Sequence, residues 1–336
     1  MSRKKEIIDV INAGQARLCE IQQALTNGEL TATELENKCG FDSQLIDRVT
    51  RFNNYSFFSQ FFNDFPPLKK DAMDVYFIGM PSSGKTTILS SLLTHINRIG
   101  KLKIDTSNDL CLEYIDNLIE LGKNGYCPGS NYDDIVLGYP ISFGNYSKKN
   151  RSHSLNFIDI PGASLMKLSP RFGDFPESSN SFYKNYLSNK NRKILIFTID
   201  YYECNEKTFK ANFQLQVALH FLLKGLNFGT LIDAIYFVVT KADLFPVNNQ
   251  NNPSFVEEHI SSSYRNILNT VKELKKKNRF EIKIFPYSIG PVELRYLYKE
   301  PDPYRNSYLK LFPDILYKEI CNTCNSRRNW FQRLIR

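Results

Sequence analysis

The chain has 336 residues, 42% of them hydrophobic and 23% charged, which is enough for one large domain with an appendage. Its formal charge of +8 permits contact with acidic membranes or nucleic acid without demanding it. No apolar run reaches the length of a membrane span, Met1-Ser2-Arg3-Lys4-Lys5 leads into no signal-peptide core, neither end carries a lipidation motif, and the seven scattered cysteines suit a reducing compartment, so a cytoplasmic protein is expected.

Residues 1–70 read as a helical region. Ile7, Ile8, Val10, Ile11, Leu18, Ile21 and Leu25 recur at helical spacing. Thr31 to Val49 reads as helix, turn at Gly40, helix, with Thr31 and either Asp42 or Ser43 as N-caps. The outline resembles a helix-turn-helix. Gln44, Arg48 and Arg51 could face nucleic acid, but Asp42 and Asp47 share their helix, and a hairpin that packs on protein is the favoured reading. A dense aromatic run from Phe52 to Phe65 either fixes this hairpin to the core or forms a docking patch, and Pro66-Pro67 marks the boundary.

The next segment carries the chemistry. Asp74-Val75-Tyr76-Phe77-Ile78 reads as a buried strand, Gly79-Met80-Pro81-Ser82-Ser83-Gly84-Lys85-Thr86 fits G-x-x-x-x-G-K-[ST], and Thr87 opens an apolar-periodic helix. Strand, glycine loop and helix together make a phosphate cradle. Gly79 and Gly84 permit a turn whose N–H groups converge on an anion, and the helix N-terminus faces the same anion. Gly79, Ser82, Ser83, Gly84, Lys85, Thr86 and Thr87 are the expected phosphate-binding residues, with Lys85 reaching the β- and γ-phosphates and the Thr86 hydroxyl on Mg²⁺.

Lys101 to Asn131 contains a helical pattern through Leu110, Leu112, Tyr114, Ile115, Leu118 and Leu121. Asp134 to Phe143 reads as a strand, and the polar link Asn145–Asn150 joins it as a hairpin, hence antiparallel, to the strand ending Ile158-Asp159-Ile160-Pro161-Gly162. Asp159 at that strand's end would hold Mg²⁺ through water, and the Gly162 N–H would meet a γ-phosphate. Lys193–Asp200 and Ala234–Val239 are further buried strands, the second ending in Thr240-Lys241-Ala242-Asp243. Phe280–Phe285 leads into Pro286-Tyr287-Ser288-Ile289-Gly290.

The order of these elements resembles the Ras-like GTPases, in the translation-factor-related branch of phosphate-loop proteins. The resemblance implies an α/β fold: a three-layer αβα sandwich over residues 71–322, with a mostly parallel sheet, one antiparallel edge strand, an N-terminal helical extension and a tail at 323–336. It implies GTP or GDP with Mg²⁺ as the ligand. Thr240 stands where the family more often has asparagine. Lys241 would lie along the base, and Asp243 would accept two hydrogen bonds from guanine that adenine does not offer. Ser288 matches the family's Ser-Ala-Lys loop, with the Ile289 N–H near the guanine oxygen. Ser130, in Tyr126-Cys127-Pro128-Gly129-Ser130, is the candidate for the metal-binding switch residue, with an ordinary Pro-Gly turn as the plain reading and Thr106 as the upstream alternative. The expected metal ligands are thus Thr86, Ser130 and Asp159, and the expected contributors to hydrolysis Lys85, Ser130 and Gly162.

Ala163 stands where the family often places a glutamine that orients water, so slow intrinsic hydrolysis aided by a partner is expected. Protein regulators and an effector follow from the resemblance, which extends in outline to bacterial switch GTPases. The basic, aromatic stretch Ser326–Arg336 suggests a docking or capping tail, or peripheral membrane contact. Two other functions remain open: a catalytically weak nucleotide-binding scaffold, and a nucleic-acid-binding regulator acting through the N-terminal hairpin. Cys321 and Cys324 read as two thiols on a helix.

Overall fold

The strands β1 (Met73–Gly79), β2 (Leu102–Ile104), β3 (Leu137–Gly144), β4 (Ser152–Asp159), β5 (Arg192–Asp200), β6 (Ile232–Thr240) and β7 (Glu281–Pro286) form one sheet in the order β2-β3-β4-β1-β5-β6-β7. The computed structural model describes residues 3–12, 21, 24–25, 27–40, 68–104, 109–124, 137–144, 152–160, 162, 189–201, 206–220, 231–249, 252–290 and 305–334. Apart from their first residues, β1 and β5 are buried throughout, and β6 is buried along its whole length, as parallel strands covered on both faces require.

β4, β1, β5, β6 and β7 run parallel, and β3 runs antiparallel to β4. The expected antiparallel strand is present, but it is not outermost. β2 pairs antiparallel with it, from Leu102 opposite Phe143 to Ile104 opposite Ile141. Only a helix was expected between Lys101 and Asn131. Three residues of alternation, Leu102-Lys103-Ile104, are too few to register as a strand pattern, and pairing with β3 rather than local propensity defines this element.

The helices are α1 (Arg3–Asn12), α2 (Ala32–Cys39), α3 (Lys85–Arg98), α4 (Asp109–Asn124), α5 (Glu206–His220), α6 (Pro253–Ser263), α7 (Arg265–Lys277) and α8 (Arg305–Leu334). From β1 the chain moves one way, through α3, to β4. From β5 it moves the other way, to β6 and β7. Right-handed crossovers therefore put α3 on one face and α5, α6 and α7 on the other, giving three layers. α8 joins the α3 face: the Tyr236 hydroxyl of β6 donates to Glu319 O of α8 at 3.0 Å, and His95 Nε2 of α3 lies 3.4 Å from Asp314 Oδ1 of α8. The reversal of winding beside β1 leaves a crevice at the carboxyl ends of the central strands, where a ligand belongs in such sheets.

At the opposite end of the sheet a buried polar cluster ties three strands together. Asp74 Oδ1 accepts from Asn156 Nδ2 at 2.7 Å and from Asn191 Nδ2 at 2.9 Å. The Lys193 ammonium, fully buried, donates to Asn189 O and Oδ1 and to Asn191 O, and lies 3.8 Å from Asp74 Oδ2. Burial pulls the Lys193 pKa down to about 8 and pushes the Asp74 carboxyl up. Asn156 also clasps the backbone of Lys69, accepting from its N–H and donating to its carbonyl at 2.9 Å each.

In the N-terminal region, α1 lies on α2, with Ile8, Ile11 and Leu35 buried and Lys4 paired with Glu34. Thr31 caps α2 as expected: its hydroxyl accepts from the Glu34 N–H at 3.2 Å while Glu34 Oε2 accepts from the Thr31 N–H at 3.1 Å. Gly40 closes the helix in the left-handed region at φ 71°. The second helix of the expected hairpin and the aromatic run lie outside the described residues. The expected boundary at 322/323 falls inside α8, where Cys321 and Cys324 are buried thiols. Among the described residues no helix is long and apolar enough to cross a membrane.

α4 is docked on α3 through small and hydroxyl residues. Ser90 Oγ donates to Leu118 O at 2.5 Å and Thr94 Oγ1 to Ile119 O at 2.9 Å. Gly122 fits only as glycine: a Cβ there would stand 2.2 Å from Thr94 Oγ1 and 2.8 Å from Ser90 O. In an open helix Gly→Ala gains about 0.5–1 kcal/mol. Here Gly122→Ala is expected to cost about 1–3 kcal/mol by forcing the helices apart. Denaturant unfolding of the two proteins gives the sign.

Candidate functional site: the phosphate loop and its neighbours

The loop leaves β1 at Gly79 with no space to spare. A Cβ on Gly79 would lie 2.0 Å from Thr198 Oγ1 and 2.4 Å from Ser83 Oγ. Ser82 at φ 63° and Gly84 at φ 88° both occupy the left-handed region. Glycine tolerates that conformation, whereas for Ser82 it costs about 1–2 kcal/mol. Alternating handedness turns successive N–H groups toward one side, forming a concave anion site at the N-terminus of α3.

Lys85 is 6% exposed, and its ammonium donates to Gly79 O at 2.9 Å and Met80 O at 3.0 Å. Burial draws its pKa down to about 8, against the pull of the Asp159 carboxylate. Thr86 Oγ1 donates to Asp159 Oδ2 at 2.7 Å, and both side chains are buried. This brings the two expected metal ligands from α3 and β4 into contact. Gly162 is pressed onto the loop from the other side: a Cβ on it would meet Pro81 N at 2.3 Å and Met80 C at 2.5 Å. Gly162 is therefore about as tightly enclosed as Gly79, and its place is beside the loop. Ser130, Thr106 and Ala163 lie outside the described residues.

One of the expected phosphate-loop hydroxyls has another partner. Ser83 is 1% exposed, and its Oγ lies 2.7 Å from Thr198 Oγ1 of β5, pointing into the core. Ser82 is exposed, and Thr87 presents its carbonyl to the Ser91 hydroxyl at 2.9 Å. Any phosphate contact by Ser83 runs through its backbone.

The Thr240-Lys241-Ala242-Asp243 segment is fastened to the same loop. Thr240 Oγ1 lies 3.0 Å from Ser83 O and 3.2 Å from Ile199 O, spanning β6, β5 and the phosphate loop. Lys241 adopts φ 58°, and its ammonium pairs with Asp200 at the end of β5. Asp243 follows, half-buried, in the middle of a single 3₁₀ turn, Ala242–Leu244, that comes after β6. Its Oδ1 accepts the Ser288 hydroxyl, and Ser288 Oγ accepts the Gly290 N–H at 2.9 Å. Ser288 and Ile289 are both buried next to it. The Tyr287 N–H donates to Val239 O at 2.8 Å and the Ala242 N–H to Tyr287 O at 3.1 Å, so the two loops are stitched by backbone.

Thr198 and Asp200 were missed in the sequence. The available signal was position: polar residues at the carboxyl end of a buried parallel strand, where a sheet of this winding presents its ligands. Chemically the site offers backbone donors and a buried ammonium for phosphates, a hydroxyl–carboxylate pair of hard oxygen donors for a small divalent cation, and a braced carboxylate some distance along the strand ends.

No protein-family model and no curated protein matches the chain. Among solved structures it is similar to a signal recognition particle receptor SRb-GTP/SRX complex from Chaetomium thermophilum, at 13% identity and a TM-score of 0.40, over 67% of this chain and 94% of that one. A second similar structure is the SRb-GDP-Mg form from the same organism, at 15% identity and a TM-score of 0.32, over 67% and 95%. Likeness at this level says nothing about which ligand this chain binds.

The buried Lys85 gives a pH prediction. A bound polyphosphate favours the charged ammonium, while the free site's pKa is about 8. Affinity for inorganic triphosphate is therefore expected to be full below pH 8 and to fall as pH rises through it. Calorimetry from about pH 6.5 to about pH 9.5 checks this, and Lys85→Met is expected to bind more weakly and without that slope.

Proposed function

We propose that the chain binds a guanine nucleotide with Mg²⁺ and acts as a GTP-controlled switch. The observation that carries this reading is the Thr240 hydroxyl on the Ser83 carbonyl. It ties the strand end leading to Asp243 directly to the phosphate loop. A base held by that segment and a phosphate held by the loop then belong to one ligand.

Asp243 is the base reader. The Ser288 hydroxyl orients its carboxylate by donating to Oδ1. Guanine presents two adjacent donors to such a carboxylate, whereas adenine leaves it unmatched, and an unmatched polar group in a shielded site discriminates strongly. Lys241 lies along the base, with its ammonium tethered to Asp200. Ile289 contributes its backbone beside the guanine oxygen.

Thr86 and Asp159 fit Mg²⁺. Hard oxygen donors, few protein ligands and phosphate oxygens to complete the shell are what this ion takes in nucleotide sites. Held by Thr86 and Asp159, it would supply positive charge to offset the negative charge of the phosphates. Lys85 holds the same oxygens. The Gly162 N–H, on the segment pressed against Pro81, is the γ-phosphate sensor, and Ser130 is the second switch ligand. Loss of the γ-phosphate frees both and changes partner affinity. With Ala163 after Gly162, intrinsic GTP hydrolysis is slow and a partner protein supplies the missing water-positioning or charge-stabilising group. Cytoplasmic protein regulators and an effector follow, with the Ser326–Arg336 tail as a second contact, to protein or to a membrane surface.

Calorimetry with GTP, GDP and ATP in Mg²⁺ tests the reading. GTP and GDP should bind and ATP should not. Asp243→Asn should weaken GDP binding about a hundredfold and gain affinity for xanthine nucleotides. Equal binding of ATP overturns the guanine assignment.

A further inference from the structure

Ser83 sits between two left-handed residues, Ser82 and Gly84, and something must hold it there. Its carbonyl is held by Thr240. Its side chain is held by a residue of no assigned role. Thr198 Oγ1 lies 2.7 Å from Ser83 Oγ and donates to Ile78 O at 3.3 Å. A threonine has one hydroxyl proton. Either hydroxyl of the Ser83–Thr198 pair can donate to the other; when the Thr198 proton lies on Ile78 O, Ser83 donates to Thr198, and in both cases the two side chains are joined. Both hydroxyls are 1% exposed, so neither has water as an alternative partner. The same threonine closes the space beneath Gly79.

We infer that Thr198 is a positioning residue for nucleotide binding, acting through the Ser83 hydroxyl to hold the N–H groups of the phosphate loop in their anion-binding arrangement. This rests on the nucleotide reading above. Thr198 touches no phosphate. Its effect passes through Ser83, whose side chain is thereby a peg and not a ligand. The peg is set from β5, while the Thr240 contact is set from β6, so two neighbouring strands fix one loop residue from two sides.

The test is Mg²⁺-GDP affinity and dissociation rate for the intact protein, Thr198→Val, Thr198→Ser, Ser83→Ala and the Thr198→Val/Ser83→Ala pair. Valine keeps the shape of threonine and leaves the buried Ser83 hydroxyl without its partner. Thr198→Val should lose affinity about tenfold, the size of one hydrogen bond, mostly as faster release. Thr198→Ser should bind like the unaltered protein. The pair should bind more tightly than Thr198→Val alone, because removing both partners leaves nothing orphaned. A purely structural role for Thr198 would make the two losses add, and that result, or a Thr198→Val protein that binds normally, overturns the inference. If Thr198→Val does not fold, Thr198→Ser and Ser83→Ala decide: loss in the first or no loss in the second overturns it. An unaltered protein that binds GTP but not GDP is tested with GTP in the same way, whereas one that binds neither overturns the nucleotide reading, and this inference falls with it.

Discussion

A loop that grips an anion with its own N–H groups has first to turn its carbonyls elsewhere, and much of the surrounding structure serves that need. Ile78 O takes the Thr198 hydroxyl, Gly79 O and Met80 O take the Lys85 ammonium, and Ser83 O takes the Thr240 hydroxyl. Each of these donors comes from a different element: β5, α3 and the end of β6. The carbonyls of the loop are thus satisfied from within the protein, an arrangement that lowers the ordering cost of binding an anion. The two left-handed residues in the loop are tolerable because their neighbours are pinned on either side.

The same logic extends to the loop that carries Asp243. Tyr287 is fully buried, with its hydroxyl 2.6 Å from Ser91 Oγ of α3 and its ring against Phe312 of α8. Through its backbone it holds Ala242. The helix that starts at the phosphate loop therefore carries a fixed point for the loop that presents Asp243. Lys85 and Lys193 make an instructive contrast. Both are buried ammonium groups with pKa values drawn down to about 8. Lys193 has several amide and carbonyl oxygens of its own and a carboxylate nearby, which is how an interior charge is normally satisfied. Lys85 has two carbonyls, with the Asp159 carboxylate acting on it from the end of β4, and it lies at the N-terminus of α3.

Most of the sheet was legible because parallel strands buried on both faces read as continuous apolar runs, as in Ile194-Leu195-Ile196-Phe197 and Tyr236-Phe237-Val238-Val239. The phosphate loop was legible because its backbone demands glycine at fixed spacing. Gly162 could be proposed from Asp-x-x-Gly, but the reason for the glycine, its approach to Pro81, is visible only in three dimensions. β2 was not legible, since three residues carry no period. Nor was the work of Thr198, because a hydroxyl in a buried strand gives no sign of which neighbouring strand or loop it meets. Ser83 shows the same limit in reverse: its place in the motif suggested a ligand, and its side chain turns out to face the core.

The cluster at the far end of the sheet bears on how the chain transmits force. Lys69 and Asp71 precede β1, yet their backbone groups are clasped by Asn156 of β4 and by Asn191, next to β5. Tension applied from the side of residues 1–67 would therefore not run up β1 alone to Gly79. It would divide at Lys69 and Asp71 and enter three adjacent strands together, loaded in shear across their parallel ladders. A pull from that side would thus be shared by the three strands that end at Gly79, Asp159 and Asp200, and would not fall on the phosphate loop's own strand alone.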